Sequence, residues 1–207
     1  MIFQELQQNI EKLVQKFDTI SSDRKQHLEK LSAYIQQKYS DQKIPKLIVI
    51  CTHNSRRSHL GQFWLALAAD YYNLPNIETF SGGTEATAFN PNAVAALQRI
   101  GFEIFALIER ENSVYSVRWA ENQHSYHAFS KRFEDSPNPT QEFAAIMVCT
   151  EADEGCPFVP GTDFRIALPF EDPKAFDGTP QEAAKYDERC QQIGTEMLYV
   201  MSKVSVN

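Results

Sequence analysis

The octapeptide Cys51-Thr52-His53-Asn54-Ser55-Arg56-Arg57-Ser58 follows the apolar run Lys46–Ile50 and precedes a stretch with helical spacing. Strand, short loop and helix together make an anion site. The loop's backbone N–H groups converge on one point, and the helix N-terminus adds about half a positive charge. A cysteine opening such a loop sits in that field, which favours the thiolate and draws a tetrahedral oxyanion to the same place. Five residues separate Cys51 from Arg57, enough for the loop to curl and bring a guanidinium back over its opening, where the fork grips two oxyanion oxygens. Ser58 can donate to the cysteine sulfur. Asn54 can hold the curl through side-chain bonds and tolerates left-handed dihedrals. The candidate oxyanion-binding set is therefore Thr52, His53, Asn54, Ser55, Arg56, Arg57 and Ser58. The bland alternative is an inert buried cysteine beside a surface arginine. The strand before, the helix after and the closing Arg-Ser favour chemistry.

The surrounding pattern supplies elements that can hold this loop. From Lys46 onward, apolar runs alternate with helical spacing: "KLIVIC", "SHLGQFWLALAADYY", "IETFSG", "NPNAVAALQRIG", later "FAAIMVC" and "FRIALPF". That order predicts an α/β fold with a doubly wound, four-stranded parallel sheet and flanking helices. Asn90, Pro91 and Gly101 read as cap, first helical position and C-terminal stop of one helix. Thr179, Pro180 and Glu182 read as a capping box that opens a long terminal helix. Residues 112–142 break the rhythm: "SVYSVRW" and "SYHAFSK" flank a polar stretch and predict an inserted β-hairpin. Residues 1–44 carry an apolar stripe, Phe3, Leu6, Ile10, Leu13, Phe17 and Ile20, and then a second one, Leu28, Leu31 and Ile35. They predict an N-terminal helical hairpin joined to a main domain of residues 45–207. Packing, a homodimer through these helices, or docking of a partner are the uses open to it.

Composition narrows the class. Apolar residues make up 43% of the 207 and charged residues 23%, as in a soluble protein with a real core. The net charge of −7 argues against nucleic-acid binding but not against an anionic substrate in a locally positive pocket. No window approaches the roughly 18 apolar residues of a membrane helix, and the N-terminus lacks a targeting pattern. The expected location is cytoplasmic. The four cysteines, Cys51, Cys149, Cys156 and Cys190, are then thiols at rest. No metal site is expected: His124 and His127 stand three apart without a matching pair.

"CTHNSRRS" resembles the phosphate-binding loop of the low-molecular-weight protein tyrosine phosphatases and of the thioredoxin-coupled arsenate reductases. "FSGGTEATAFNPNAVAALQRIGFEI", "MVCTEADEGCPFVPG" and "FEDP" extend the resemblance over roughly residues 46–104 and 143–202. His53 stands where the family usually has glycine, which bears on loop shape and substrate access. His59 is expected on the helix surface or in local packing, and Cys190 as a structural residue. The resemblance makes Cys51 the nucleophile and Asp172, in Asp172-Pro173, the general acid, with Glu171 as fallback. Lys174-Ala175-Phe176 follow where the phosphatases often place a tyrosine. Cys149 and Cys156 match a pair that the reductases use and the phosphatases do not need. A mobile segment carrying both thiols fits a disulfide relay, against the alternatives of a buried strand residue and an incidental loop thiol.

The resemblance thus implies arsenate reduction through catalytic Cys51, Arg57, Asp172, Cys149 and Cys156. Thioredoxin would be the external reductant, and no metal or organic cofactor is required. The second reading is a phosphatase acting on phosphotyrosine or a small phosphoester through a phosphocysteine. The third is a non-enzymatic oxyanion or redox sensor, against which the presence of an acid speaks.

Overall fold

The computed structural model describes residues 1–122, 125–155 and 158–206. Two helices, α1 (Gln4–Val14) and α2 (Ser22–Ser40), precede strand β1 (Lys46–Cys51) and helix α3 (Arg57–Tyr71). Strand β2 (Glu78–Gly83), helix α4 (Pro91–Ile100) and strands β3 (Glu103–Ile108), β4 (Val114–Arg118) and β5 (Tyr126–Ala128) follow. The chain then runs through β6 (Phe143–Met147), α5 (Thr150–Gly155), β7 (Thr162–Ala167) and α6 (Glu182–Ser202). The central sheet has the order β2-β1-β6-β7, all pairings parallel, as the alternating pattern predicts. Leu47, Ile48, Val49 and Ile50 are all fully buried, because β1 has a strand on each side and helices over both faces.

Helix α3 is buried on nearly every side because it lies between the sheet and α6. The close approach of α6 depends on Gly194, where an added Cβ would stand 2.6 Å from the Trp64 indole. Helix α4 is capped as expected: the Asn90 side chain accepts from the N–H groups of Asn92 and Ala93, Pro91 holds the first turn, and Gly101 closes it at φ 114°.

Both N-terminal helices form as their stripes predict, but each packs on α6 and not chiefly on the other. Leu6 and Ile10 of α1 and Leu28, Leu31 and Ile35 of α2 are fully buried within the same core as the sheet. The insertion forms as a hairpin, β4 pairing antiparallel with β5. A third strand, β3, joins it on the other side of β4. Its Ile104–Ile108 is an apolar run like those of the buried strands, yet Phe105, Leu107 and Ile108 are about half exposed, because β3 is an edge strand of this small sheet. The terminal helix starts later than its capping-box pattern suggests. Thr179 Oγ1 accepts from the Gln181 N–H and Glu182 reaches back to the Gly178 N–H, so the box closes a turn just ahead of α6. Among the described residues, no helix is long and apolar enough to cross a membrane.

Candidate active site

Strand β1 ends at Cys51 and α3 begins at Arg57, so the loop joins a central strand to a buried helix. Arg56 occupies the cap position of α3, and no side chain caps that helix. Its first N–H groups therefore face the loop as unpaired donors. Among the described residues, the N–H groups of His53, Asn54, Ser55 and Arg56 likewise donate to no protein acceptor. A run of free backbone donors of this kind is what an anion site can be made from.

Asn54 gives the loop its curl. It is a non-glycine residue at φ 44°, and its side chain offsets the strain by bonding at both ends. Its Nδ2 donates to Ser58 Oγ (2.8 Å) and its Oδ1 accepts from the Lys131 N–H (2.9 Å). Ser58 Oγ in turn lies 3.1 Å from Cys51 Sγ. Cys51 and Ser58 are buried, so this hydroxyl is one of the few groups that can stabilise charge on the sulfur. The loop also leans on β2. A Cβ at Gly83 would stand 2.6 Å from Asn54 N and 2.7 Å from Thr52 O, so this approach requires glycine.

Arg57 is buried. Its Nη1 donates to Phe170 O (2.8 Å) and its Nη2 to Asp172 Oδ2 (2.6 Å), while its Nε is buried with no partner. Asp172 Oδ1 accepts from the Lys174 N–H, which fixes the carboxylate at the start of a 3-10 turn, Pro173–Phe176. Loop arginine and candidate acid, far apart in sequence, thus meet directly. Glu171, the fallback acid, is exposed and turned to Arg189 (3.2 Å). Phe176 lies under the Lys185 ammonium.

The side chains of Arg56 and His53 are engaged away from this centre. Arg56 Nε donates to the Tyr186 hydroxyl (2.6 Å), which donates to Asp177 (2.7 Å), and Arg56 Nη2 reaches Asp177 as well (3.1 Å). Burial pushes the Tyr186 phenol up to about 12, so it remains a donor at neutral pH. Only the Arg56 backbone is left for an anion. His53 keeps a negative φ, so a side chain at this position strains nothing, and its half-exposed ring stands 3.7 Å from Glu85.

Cys149 lies two residues beyond β6, beside the end of β1, in a fully buried position. Its Sγ is 3.4 Å from Thr52 Oγ1 and accepts from the Ala152 N–H (3.4 Å) at the start of α5. The second thiol therefore touches the loop itself, at Thr52. Cys156, the other half of the relay pair, lies outside the described residues, as does His124. Among the described residues, no group of three or more His, Cys, Asp or Glu side chains is placed to hold a metal ion. Cys190 is buried under the Trp64 indole N–H, and burial pushes its thiol up to about 12.

His59 is not on the surface. It is fully buried, stacked 4.0 Å from Phe89, and its Nε2 has no partner. Burial, reinforced by the charge of Lys131, holds its pKa well below the ordinary value. The native ring therefore stays neutral, while the unfolded chain takes up a proton below about pH 6.5. Stability present above that pH is lost as pH falls, at up to about 1.4 kcal/mol per pH unit. Urea unfolding at pH 6.5 and 5.5 should show this loss in the native sequence and a flatter dependence in His59→Phe. Equal slopes would contradict the assignment.

Several of these partners have no sequence signal. Ser130 and Lys131 of the insertion reach the loop from 77 residues away. Tyr186 and Asp177 hold Arg56 from the far end of the chain.

No family model matches this chain. An arsenate reductase of Bacillus subtilis is 28% identical over 149 residues, 72% of this chain and 88% of that protein. An arsenate reductase of Brevibacillus brevis is 29% identical over 125 residues, 60% of this chain and 73% of that one. In structure, a low-molecular-weight phosphotyrosine phosphatase from Vibrio cholerae aligns with a TM-score of 0.51 at 14% identity, over 76% of this chain and 95% of that one. The chain resembles the arsenate reductases in sequence and has the low-molecular-weight phosphatase fold.

Proposed function

We propose that this chain is an arsenate reductase whose reaction starts at Cys51. The observation that favours reduction over simple hydrolysis is the position of Cys149, with its sulfur 3.4 Å from the hydroxyl of the loop's own Thr52. A phosphatase has no use for a second thiol there.

Arsenate enters the backbone cradle of residues 52–58 and competes with Asp172 for the Arg57 guanidinium. The unpartnered Nε of Arg57 adds a further donor. Cys51 thiolate attacks arsenic, and the departing hydroxide takes a proton from Asp172 and leaves as water. Displacement from Arg57 leaves Asp172 Oδ2 free to carry that proton, while the Lys174 N–H still holds Oδ1 in place. Cys149 thiolate then attacks Cys51 Sγ. The sulfur–arsenic bond breaks with its electron pair going to arsenic, arsenite leaves, and a Cys51–Cys149 disulfide remains. Cys156 attacks Cys149 and releases Cys51 as thiolate, and thioredoxin reduces the resulting Cys149–Cys156 disulfide. Two thiols are oxidised for each arsenate reduced, and neither metal nor organic cofactor takes part. The cycle requires a compartment that keeps thiols reduced.

The same loop and acid can hydrolyse phosphoesters, because phosphate and arsenate share shape and charge. Phosphoester hydrolysis is therefore expected as an activity that does not need Cys149. A homodimer through α1 and α2 would have to use their polar faces, since their apolar stripes are covered by α6.

The test is a single turnover without thioredoxin. Fully reduced protein mixed with one equivalent of arsenate should yield one arsenite per two thiols lost. If no arsenite forms, and arsenate leaves Cys51 as open to iodoacetamide as before, the reading fails.

A further inference from the structure

The insertion lies outside the resemblance to the phosphatases and reductases, yet it makes the closest side-chain contacts to the bend of the loop. Ser130, two residues past β5, is almost fully buried. Its Oγ donates to His53 O (2.9 Å) and accepts from the Thr87 N–H (2.8 Å), joining the loop to the segment after β2. The next residue, Lys131, gives its N–H to Asn54 Oδ1 (2.9 Å) and its carbonyl to the Gly83 N–H (2.9 Å). Asn112, in the turn between β3 and β4, holds Ser130 from the other side with a reciprocal pair. Its Nδ2 donates to Ser130 O (2.8 Å) and its Oδ1 accepts from the Ser130 N–H (3.0 Å).

We infer that the inserted sheet is a brace for the oxyanion loop, and that Ser130 and Asn112 are positioning residues for the reaction at Cys51. The His53–Asn54 peptide is the point where the loop must turn, and Asn54 is left-handed there. Freed of its bonds, that peptide has lower-energy conformations open to it, and its N–H groups leave the cradle. The brace restricts those alternatives by holding the carbonyl of residue 53, which also accepts from Thr87 Oγ1 (3.2 Å), and the side chain of residue 54 from the segment that follows β5. Cradle geometry, not only fold stability, then depends on the insertion.

The inference rests on the reading of residues 51–58 as an oxyanion loop, and one experiment separates the two. Inorganic phosphate should protect Cys51 from iodoacetamide in the native protein, with Cys51 alkylation read by peptide mass. Ser130→Ala should raise the half-protecting phosphate concentration about tenfold, equivalent to about 1.4 kcal/mol. Its urea midpoint should move little. Ser130→Thr, which keeps the hydroxyl, should return the concentration to within threefold of native. Asn112→Ala, at a partly exposed site, should shift it in the same direction. Arg118→Ala, which breaks only the surface pair with Glu103 on the same sheet, should leave it unchanged. If phosphate protects Cys51 equally in the native protein, Ser130→Ala and Asn112→Ala, the brace is structural only and the inference is overturned. If phosphate protects in none of them, native included, the loop reading falls and takes the inference with it.

Discussion

Cys51→Ser is expected to abolish arsenate reduction and phosphoester hydrolysis together, each by at least about 10⁴-fold, or about 5 kcal/mol of barrier. The substitution is close to isosteric at a buried site, and the new hydroxyl can keep the bond to Ser58 Oγ that the thiol makes. Fold and loop should survive, so the loss would belong to the chemistry. A serine hydroxyl at neutral pH is a poor nucleophile without an adjacent base, and no histidine or carboxylate is hydrogen-bonded to position 51 among the described residues. Phosphate binding, followed by titration calorimetry, should be unchanged, because the donors of the loop are backbone N–H groups and Arg57, which the substitution does not touch. Loss of binding along with activity would mean that the variant had lost the cradle. Retained activity would remove Cys51 from the mechanism.

Cys149→Ser separates the two chemistries. Arsenate turnover should fall at least about 100-fold, while hydrolysis of p-nitrophenyl phosphate stays within about threefold of native. Both neighbours of Cys149 tolerate the change, since a serine oxygen can accept from the Ala152 N–H and meet Thr52 Oγ1 as the sulfur does. The loop should therefore keep its shape and its hydrolytic chemistry. Reduction fails because a hydroxyl cannot attack a sulfur to form a disulfide. Equal retention of both activities would make Cys149 an incidental core thiol. Equal loss of both would make it a support for the loop.

Sequence carried the centre of this site because its parts are adjacent in the chain. A strand end, five loop residues and a helix start fall within Cys51–Ser58, and their geometry follows from local rules. The bonds from Ser58 to Cys51 and from Asn54 to Ser58 are of this kind. The parallel sheet was legible for a similar reason: strands buried on both faces read as unbroken apolar runs. What stayed hidden is tertiary. Nothing in "FSKRF" marks Ser130 or Lys131 as partners of the loop, because their bonds use main chain and one small hydroxyl. The partnering of β3 with β4 is tertiary too: its apolar run Ile104–Ile108 is strand-like, but nothing local says that it leaves the central sheet for the small one. For His59 the sequence leaves surface and local packing open; α3 is enclosed on all sides, so packing holds and the ring is buried neutral against Phe89. The Arg57–Asp172 pair was only half legible. Each residue carried a sequence cue, whereas their direct contact depends on how the loop after β7 turns back over α3.

The most direct test of the central claim is steady-state arsenate turnover with thioredoxin, thioredoxin reductase and NADPH. The account predicts arsenate-dependent NADPH oxidation that saturates, is inhibited competitively by phosphate, and disappears in Cys51→Ser. NADPH oxidation indifferent to arsenate, in a protein that still hydrolyses p-nitrophenyl phosphate through Cys51, would contradict it and leave a phosphatase with a spare thiol beside its loop.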